Sequence, residues 1–510
     1  MTPQGEKLAR ALEALSLSER DGIVRSSGMS RTYRERLTKA GFLDEIISGW
    51  LVVTSPDAPL GSSVAWYGSF WAFLSQYLES RFGDGYCLSP EASVKRHVQS
   101  SLIPKQVAVV VRETTFQTIT LPSDTSLLIY PTREALPPSR VTLGGIWTLD
   151  LPTAICRLSE PFYRNNAEDA EIALRMIRDP SDLLRVLLDG SQVVVAGRLV
   201  GAYRFLGYER TAQQIKETME AAGSVVRVSS PFERAEPILS GLARVTSPHV
   251  ARIRALWSGM RADVLQVFVD RPLRAVPPSD YLAEVEERYA ADAYNSLSIE
   301  GYRVTPDLIE RVRAGGWSPT SSKDDSQQSD ALAARGYYQA FQAVKASIAK
   351  ILSGDPPAER IERDCQGWHR EMFSPAVAAG VLQASQLAGY RNTPVYLRGS
   401  RHVPPAAEAV VDCMEAFFAL LHAEPDPIVR AVLGHFIFVY IHPYSDGNGR
   451  IGRFLMNAAL AAGGLPWTVI RQERRGGYLA SLEDASTKHD IGPFARFVRE
   501  EMDAKTGGVQ

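Results

Sequence analysis

The sequence is poor in cysteine, carries no excess of charge of either sign and has no long apolar run. Its formal net charge is −2 over 510 residues, so the chain as a whole does not attract nucleic acid. No apolar segment is long enough to span a bilayer and the N-terminus lacks a signal-peptide pattern, which predicts a cytoplasmic protein without a membrane partner. The cysteines lack metal-site spacing and fit free thiols in a reducing compartment; they are Cys87, Cys156, Cys365 and Cys413.

The composition is that of a globular protein with several domains. Hydrophobic residues make up 45% and charged residues 22%, and 510 residues are too many for one core. We predict a mixed fold class, with a winged-helix-like domain at 1–56, an α/β or α+β domain at 57–235 and a largely α-helical domain at 271–505. A linker at 236–270 joins the last two.

Residues 442–453 form a polar run that reads His-Pro-Tyr-Ser-Asp-Gly-Asn-Gly-Arg-Ile-Gly-Arg. The preceding segment, Pro427–Ile441, has the apolar composition of a buried helix that ends near Pro443. The following segment, Ile451–Ala462, again has a helical pattern. The polar run is therefore predicted to be a loop that becomes a helix N-terminus, where unpaired N–H groups and the helix dipole favour an anion.

The residue types in this run suit phosphate chemistry. His442 has an unperturbed pKa near ~6.5 and can accept a proton from a hydroxyl at neutral pH. Asp446 is the type of ligand that Mg²⁺ takes together with phosphate oxygens and water. Glycines let the backbone approach an oxygen closely, an asparagine adds a donor, and two arginines on one helical face can fork onto phosphate. These residues are Gly447, Asn448, Gly449, Arg450 and Arg453.

Each of these features alone is more often structural: a capping histidine, a turn, a solvated arginine face. Their coincidence at this spacing predicts attack of a protein hydroxyl on a phosphate of a bound nucleotide. With Tyr444 where phenylalanine is usual, the run resembles the signature of the Fic family, His-x-Phe-x-Asp/Glu-Gly-Asn-Gly-Arg-x-x-Arg.

The resemblance implies transfer of AMP from ATP to a Tyr, Thr or Ser hydroxyl of a protein target, with Mg²⁺ as cofactor. It makes His442 the base and Asp446 the Mg²⁺ ligand. It also places Arg453 on the distal phosphate and the other phosphates on residues 447–450. In the Doc branch, which phosphorylates its targets, a lysine stands at the position of Gly449; the glycine here favours AMP transfer.

A second motif, Ser-Leu-Ser-Ile-Glu-Gly at 296–301, resembles the Fic autoinhibitory motif Ser/Thr-x-x-x-Glu-Gly/Asn. The stretch before it has a helical pattern, so Glu300 is predicted near a helix end. The resemblance implies an ion pair between Glu300 and Arg453 that blocks the distal phosphate. Ser296 would hold the helix against the site, and Gly301 completes the motif.

Residues 390–405 resemble the Fic flap, which holds a target segment by strand addition. Strand propensity at Val395, Tyr396 and Leu397, followed by a turn and two prolines, predicts a short hairpin with an open edge beside an all-α core. His402 is predicted to be structural. The Fic resemblance extends over about 270–505.

Asn457 and Tyr478 are candidate adenine contacts, with core packing as the alternative for both. The polar stretch 315–330 cannot bury apolar surface and is predicted to be a mobile loop beside the inhibitory helix.

At the N-terminus, residues 5–53 are predicted to form a winged helix with helices at Glu6–Leu15, Ser18–Arg25 and Ser30–Lys39 and wing strands on either side of Ser48-Gly49. The third helix presents basic side chains as a DNA recognition helix would, although winged folds also bind protein. Together with 57–235 it resembles the AbiEi-type antitoxin and regulator family. The candidate DNA-binding residues are Arg31, Arg34, Arg36 and Lys39.

Three alternatives follow from these features. The chain could be a DNA-binding regulator in which the Fic domain senses nucleotide, a toxin restrained by its N-terminal part, or a Fic enzyme that uses another nucleotide. A second copy of the chain is a further candidate partner.

Overall fold

The computed structural model describes residues 3–57, 62–112, 116–239, 245–273, 275–315 and 325–504. The chain divides into two compact units. The N-terminal unit comprises Met1–Ala251 together with Tyr396–Val403, and the helical unit comprises Arg252–Val395 and Pro404–Gln510.

The N-terminal unit begins with two helices and a small antiparallel sheet. Its elements are α1 (Pro3–Ser18), β1 (Glu19–Arg20), β2 (Ile23–Arg25), α2 (Arg31–Lys39), β3 (Leu43–Ile47) and β4 (Trp50–Val53). The strand order is β1-β2-β4-β3, and β3 and β4 pair around Ser48-Gly49 as predicted for a wing. Ser30 caps α2 by accepting a hydrogen bond from the Tyr33 N–H.

The helix predicted at Ser18–Arg25 is wrong, because this stretch forms β1, a turn and β2. Asp21 and Gly22 connect the strands with φ angles of 53° and 79°. Two successive left-handed residues make the tight turn that suits a two-residue hairpin, and Asp-Gly is a preferred sequence for it. The Asp-Gly pair is the sequence signal for this hairpin.

The rest of the N-terminal unit combines a mixed sheet with a group of helices, in agreement with the predicted α/β or α+β domain. The sheet order is β5-β6-β8-β7; β6 and β8 run parallel, and β7 and β8 form an antiparallel pair. The strands are β5 (Tyr86–Leu88), β6 (Gln106–Val111), β7 (Gln117–Leu121), β8 (Thr125–Pro131) and the separate hairpin β9 (Arg140–Leu143) and β10 (Ile146–Leu149). The helices are α3 (Val64–Phe82), α4 (Pro90–His97), α5 (Leu151–Cys156), α6 (Glu160–Asn165), α7 (Ala167–Met176), α8 (Pro180–Asp189), α9 (Val193–Phe205) and α10 (Glu209–Ala221).

The helical unit surrounds one almost wholly buried helix, α17 (Pro427–Ile441). Asp426 starts this helix by accepting hydrogen bonds from the N–H groups of Ile428 and Val429 at 2.9 and 3.0 Å, with Pro427 in the first turn. The other helices are α11 (Pro248–Val267), α12 (Pro278–Ile299), α13 (Pro306–Arg313), α14 (Asp325–Leu352), α15 (Pro357–Ala378), α16 (Val410–Ala423), α18 (Asn448–Ala461), α19 (Arg475–Lys488) and α20 (Gly492–Asp503).

Two boundaries differ from the predictions. The predicted linker at 236–270 contains the long helix α11. The predicted loop at 315–330 falls largely on 316–324, which lie outside the described residues, and α14 already begins at Asp325. No helix in the described ranges combines the length and apolar character needed to cross a bilayer. All four cysteines are buried and free.

Candidate active site

The polar run at 442–447 is a tight loop between α17 and α18, as the sequence predicts. α17 ends at His442, whose backbone adopts the left-handed conformation with φ 53° and ψ 59°, while its N–H still donates to the Phe438 carbonyl at 3.0 Å. Gly447 precedes α18 with φ 86°. The first-turn N–H groups of α18 have no acceptor within the helix, so they form an anion-binding end.

The catalytic candidate His442 is held as a neutral base. Its Nδ1 lies 3.2 Å from the Val439 carbonyl, which makes Nδ1 the protonated nitrogen and leaves Nε2 to accept a proton. Burial lowers the pKa of His442 below its ordinary 6.5, and the bond to the Val439 carbonyl offsets only part of that effect. The ring is therefore neutral at pH 7.

Asn448 braces the loop. Its side-chain oxygen accepts from the Tyr444 N–H at 2.9 Å and its amide nitrogen donates to the Tyr444 carbonyl at 2.7 Å. A phosphate contact by this side chain stays a prediction; what the structure shows is a clamp that fixes the curvature of the loop.

Asp446 offers a single exposed carboxylate. One oxygen accepts from the Gly447 N–H at 2.6 Å, the other from Arg450 at 3.1 Å, and the side chain is 63% exposed. Within the described ranges no three His, Cys, Asp or Glu side chains come together as a metal cage. A lone carboxylate fits Mg²⁺, which keeps several waters and takes further oxygens from phosphates, and does not fit a metal bound by protein alone.

Two buried arginines face the helix start with donors to spare. The side chains of Arg450 and Arg453 are 2% and 3% exposed. Among the described residues, Nε of Arg450 and Nη1 of Arg453 have no hydrogen-bond partner. Unsatisfied buried donors of positive charge are costly, so this pair suits an anionic ligand that would satisfy them.

The predicted inhibitory contacts on Arg453 are present. Its Nε donates to the Ser296 hydroxyl at 2.8 Å, and its Nη2 donates to the Ser296 carbonyl at 3.1 Å and to Glu300 at 2.7 Å. Glu300 follows the last residue of α12, and Gly301, with φ 96°, ends the helix there. Burial alone would raise the pKa of Glu300, but the charges of Arg453 and Arg450 outweigh it and hold that pKa below 4.5.

Gly449 makes room for this carboxylate. A Cβ at position 449 would lie 2.5 Å from Oε1 of Glu300 and 3.2 Å from Nη1 of Arg453. The glutamate therefore occupies the space directly beside the anion-binding turn. A longer side chain at 449 is incompatible with Glu300 in this position.

The candidate adenine contacts are corrected to packing residues. Asn457 is fully buried, and its amide pairs with the backbone of Thr468, accepting at 2.7 Å and donating at 3.0 Å. The Tyr478 hydroxyl lies 2.8 Å from Nε2 of His435, and its ring is 2% exposed. Both polar groups are consumed inside the core, so neither is free to contact a base.

The predicted hairpin at 390–405 is not formed. Val395, Tyr396 and Leu397 adopt no strand, and the only pairing of this segment is an isolated bridge between His402 and Leu102 within the N-terminal unit, among the residues described. His402 is 1% exposed, consistent with the predicted structural role. The chain turns at Ser400, whose N–H donates to the Leu397 carbonyl at 3.2 Å, and the residues on the two sides of this turn form no strand pairing with each other.

The basic face predicted on α2 is partly engaged within the N-terminal unit. Arg31 pairs with Glu35 at 2.7 Å, and Arg36 donates to the Lys7 carbonyl at 2.9 Å. Of the four candidate residues, only Arg34 and Lys39 make no such contact among the described residues. Fewer basic side chains on α2 are therefore free to bind DNA.

Sequence reasoning missed two residues that hold the loop. His369, on α15, stacks on Tyr444 with ring centroids 3.9 Å apart, and its Nε2 lies 3.3 Å from the Asp446 carbonyl. Burial lowers the pKa of His369 to about 4, so it stays neutral. Arg391 contacts the backbone of His442. Neither position carries a sequence signal, because isolated His and Arg residues are usually at the surface.

Tyr444, the departure from the Fic signature, carries an unsatisfied hydroxyl. The residue is 1% exposed, and among the described residues its hydroxyl makes no hydrogen bond of standard geometry; the buried Cys365 thiol beside it is only a weak partner. We expect Tyr444→Phe to raise the free energy of unfolding by about 1 kcal/mol, because an unpaired buried hydroxyl is removed. Thermal and denaturant unfolding would measure this.

The matched control is Tyr337→Phe, since the Tyr337 hydroxyl donates to the buried Asp292 carboxylate at 2.6 Å. That variant should be destabilised. Equal destabilisation of both variants would contradict the assignment of the Tyr444 hydroxyl as unpaired.

A buried helix, a loop with a neutral histidine at its start, and a helix N-terminus beside buried arginines form a class of site that suits an anionic ligand beside a general base. Comparisons with known proteins agree with this class. Residues 362–460 match the Fic/DOC family. This part of the chain is therefore similar to a Fic domain.

Curated relatives of the chain are also named after the Fic family. The chain is 47% identical over 218 residues to "Protein adenylyltransferase Fic" of Nematostella vectensis, covering 42% of this chain and 47% of the relative. It is 30% identical over 219 residues to the protein of that name in Drosophila grimshawi, covering 42% and 41%. The chain thus spans about half the length of the curated relatives it matches. Among solved structures it is similar to "Fic-1 (aa134 - 508) from C. elegans", with 19% identity and a TM-score of 0.36 over 66% of this chain and 90% of that one.

Proposed function

We propose that this protein is an adenylyltransferase that moves AMP from ATP to a hydroxyl of a protein target. The observation that carries the proposal is the neutral His442, with Nε2 open, beside an anion-binding turn that keeps donors free on Arg450 and Arg453. The curated relatives, which share this part of the chain, are named for that reaction.

The reaction follows from the roles of these groups. The target hydroxyl attacks the α-phosphorus of ATP, its proton passes to Nε2 of His442, and the bond from the α-phosphorus to the bridging oxygen breaks to release pyrophosphate. The N-terminal turn of α18 and the two arginines stabilise the phosphate charge. Asp446 would hold Mg²⁺, which neutralises charge on the phosphates when it is bound.

Gly449 favours AMP transfer over phosphorylation. A side chain at this position would clash with Glu300, so the glycine and the glutamate belong together in this chain.

We further propose that the protein is autoinhibited in cis and acts in the cytoplasm. The Glu300 carboxylate ties up Nη2 of Arg453 and fills the space beside Gly449, where a distal phosphate would otherwise bind. The pair is shielded on one side, since the arginine is 3% and the glutamate 31% exposed, so it is stronger than a surface ion pair.

The test uses the full-length wild type and the Glu300→Gly variant with Mg²⁺ and ATP labelled at the α- or γ-phosphate. Covalent α-label, with the mass gain of one AMP less water, supports the proposal. Transfer of γ-label instead would establish kinase chemistry. Absence of both labels, with cell extract supplied as acceptor, would overturn AMP transfer from ATP.

The pH dependence distinguishes the base from the inhibitory pair. Because burial lowers the pKa of His442, we expect the rate of AMP transfer by Glu300→Gly to decrease as the pH falls, with an apparent pKa below 6.5. Above pH 7 the rate should not depend on pH. The ionised Glu300–Arg453 pair is present above the ordinary glutamate pKa of 4.5 and is lost only as the pH falls through the lowered value. The ratio of variant to wild-type rates should therefore stay constant between pH 7 and 8, where His442 is neutral in both proteins although Glu300 raises its pKa in the wild type. A ratio that collapses within this range would contradict an ionised inhibitory pair.

A further inference from the structure

Arg391 is a buried arginine whose partners are all backbone carbonyls. It is 5% exposed and forms no ion pair within 4.0 Å in the described part of the helical unit, and the charge of Glu408 acts on it only from farther away. Burying a guanidinium without a counter-ion is costly, so its hydrogen bonds must be numerous and well placed. The positions of the carbonyls around Arg391 are therefore closely constrained.

The guanidinium joins two places in the chain. On one side its Nε donates to the His442 carbonyl at 2.8 Å and its Nη2 lies 3.4 Å from the Ile441 carbonyl. On the other side its Nη1 donates to the Thr393 carbonyl at 2.9 Å and its Nη2 to the Pro405 carbonyl at 2.5 Å. The Arg391 N–H completes the set by donating to the Pro443 carbonyl at 2.8 Å.

Thr393 and Pro405 are the two stems of segment 394–404, in which the predicted hairpin is not formed. We propose that Arg391 is a positioning residue that ties both stems to the backbone of His442, so that the base keeps a fixed position in the helical unit. This inference rests on the proposed function, because the value of a fixed position lies in aligning the hydroxyl with the base and phosphorus. Alignment of this kind can contribute a large part of a rate enhancement.

The backbone of His442 needs such support. A histidine in the left-handed conformation is strained, and it persists only when its surroundings hold it. The positive charge of Arg391 also favours the neutral form of the His442 ring, in the same direction as burial. Arg391 therefore affects both the position of the His442 backbone and the pKa of the His442 ring.

Arg430 supplies a matched control. It is 8% exposed, and it too donates to carbonyls, those of Leu421 (3.2 Å) and Glu424. It lies at the start of α17, whereas Arg391 acts at the end of that helix. Arg391→Met and Arg430→Met each leave buried carbonyls without a donor, but only the first touches the loop.

The experiment uses full-length protein in the Glu300→Gly background, with Arg391→Met, Arg391→Lys and Arg430→Met. Hydrogen exchange is followed in the peptides 393–405 and 439–446. Steady-state AMP transfer is measured against ATP concentration and pH. The lysine variant keeps the charge with fewer donors, and serves if the methionine variant does not fold.

For Arg391→Met we expect faster exchange in both peptides and a kcat lower by about 10- to 100-fold, with KM for ATP changed by less than about twofold. In the pH–rate profile, the decrease in rate at low pH should begin at a higher pH, because removal of the Arg391 charge raises the pKa of His442. Arg391→Lys keeps the positive charge, so it should restore the pH dependence of the parent and part of its kcat. Arg430→Met should change none of these beyond what its lower stability explains.

Unchanged exchange in either peptide, or an equal loss of kcat in Arg430→Met, would overturn the inference. If the Glu300→Gly parent transfers no AMP, the proposed function fails. The exchange data then still decide whether Arg391 joins the stems to the loop, so the two failures are distinguishable.

Discussion

Replacing His442 with alanine should reduce AMP transfer by roughly 10²–10⁴-fold, the usual contribution of a general base. The measurement is incorporation of α-labelled AMP by the variant in the Glu300→Gly background, where the parent rate is high. Binding of ATP should persist, because the phosphates are held by the α18 N-terminus and the arginines. The loss should therefore appear in kcat, with little change in KM.

The left-handed backbone at position 442 requires a second variant. Alanine tolerates this conformation poorly, whereas asparagine adopts it more readily, so His442→Asn removes the base with less strain. His422→Ala serves as a control, since His422 pairs with Glu362 on the protein surface. Transfer within tenfold of the parent in both His442 variants would exclude His442 as the base.

Replacing Glu300 with glycine should raise AMP transfer by about 5- to 150-fold, the effect of a coupling free energy of about 1–3 kcal/mol between the inhibitory contact and ATP binding. Removal of the carboxylate frees Nη2 of Arg453 and opens the space beside Gly449. The affinity for ATP should rise with the rate, because both depend on the distal phosphate reaching Arg453. Titration with ATP and intact-mass measurement of self-modification would quantify the two effects.

Two further variants refine this experiment. Glu300→Gln keeps the size of the side chain but not its charge, and should fall between wild type and Glu300→Gly. Glu287→Gln removes an exposed carboxylate from the same helix and should leave transfer at the wild-type level. If wild type and Glu300→Gly have equal rates and equal ATP affinities, Glu300 is not an inhibitor.

The sequence by itself determined the helix-loop-helix around the motif. The spacing of Gly447 and Gly449 and the apolar run before them admit few other local structures, because these are short-range constraints of backbone sterics and periodicity. The Glu300–Arg453 contact was also accessible, although only through the resemblance of two separate motifs to one family. Without that resemblance, 153 positions of separation between the partners would have hidden the pair.

Errors arose where tertiary packing competes with local pattern. Asn457 and Tyr478 have the right chemistry for a base-binding pocket, but whether a polar side chain points into a pocket or satisfies a neighbouring backbone group is decided by the packing of α18 and α19. The hairpin at 390–405 failed for the same reason. Strand propensity reflects a fit to a partner strand, and this segment found only one bridge, to Leu102.

The supporting residues were decided by the tertiary structure alone. Arg391 and His369 lie 51 and 77 positions from the loop residues they hold. A sequence shows which residues can donate a hydrogen bond. Only the tertiary structure shows which of these donors are buried and therefore need an acceptor. The motif therefore specified the chemistry of this protein, and the fold specified how the base is held in place and which carboxylate restrains it.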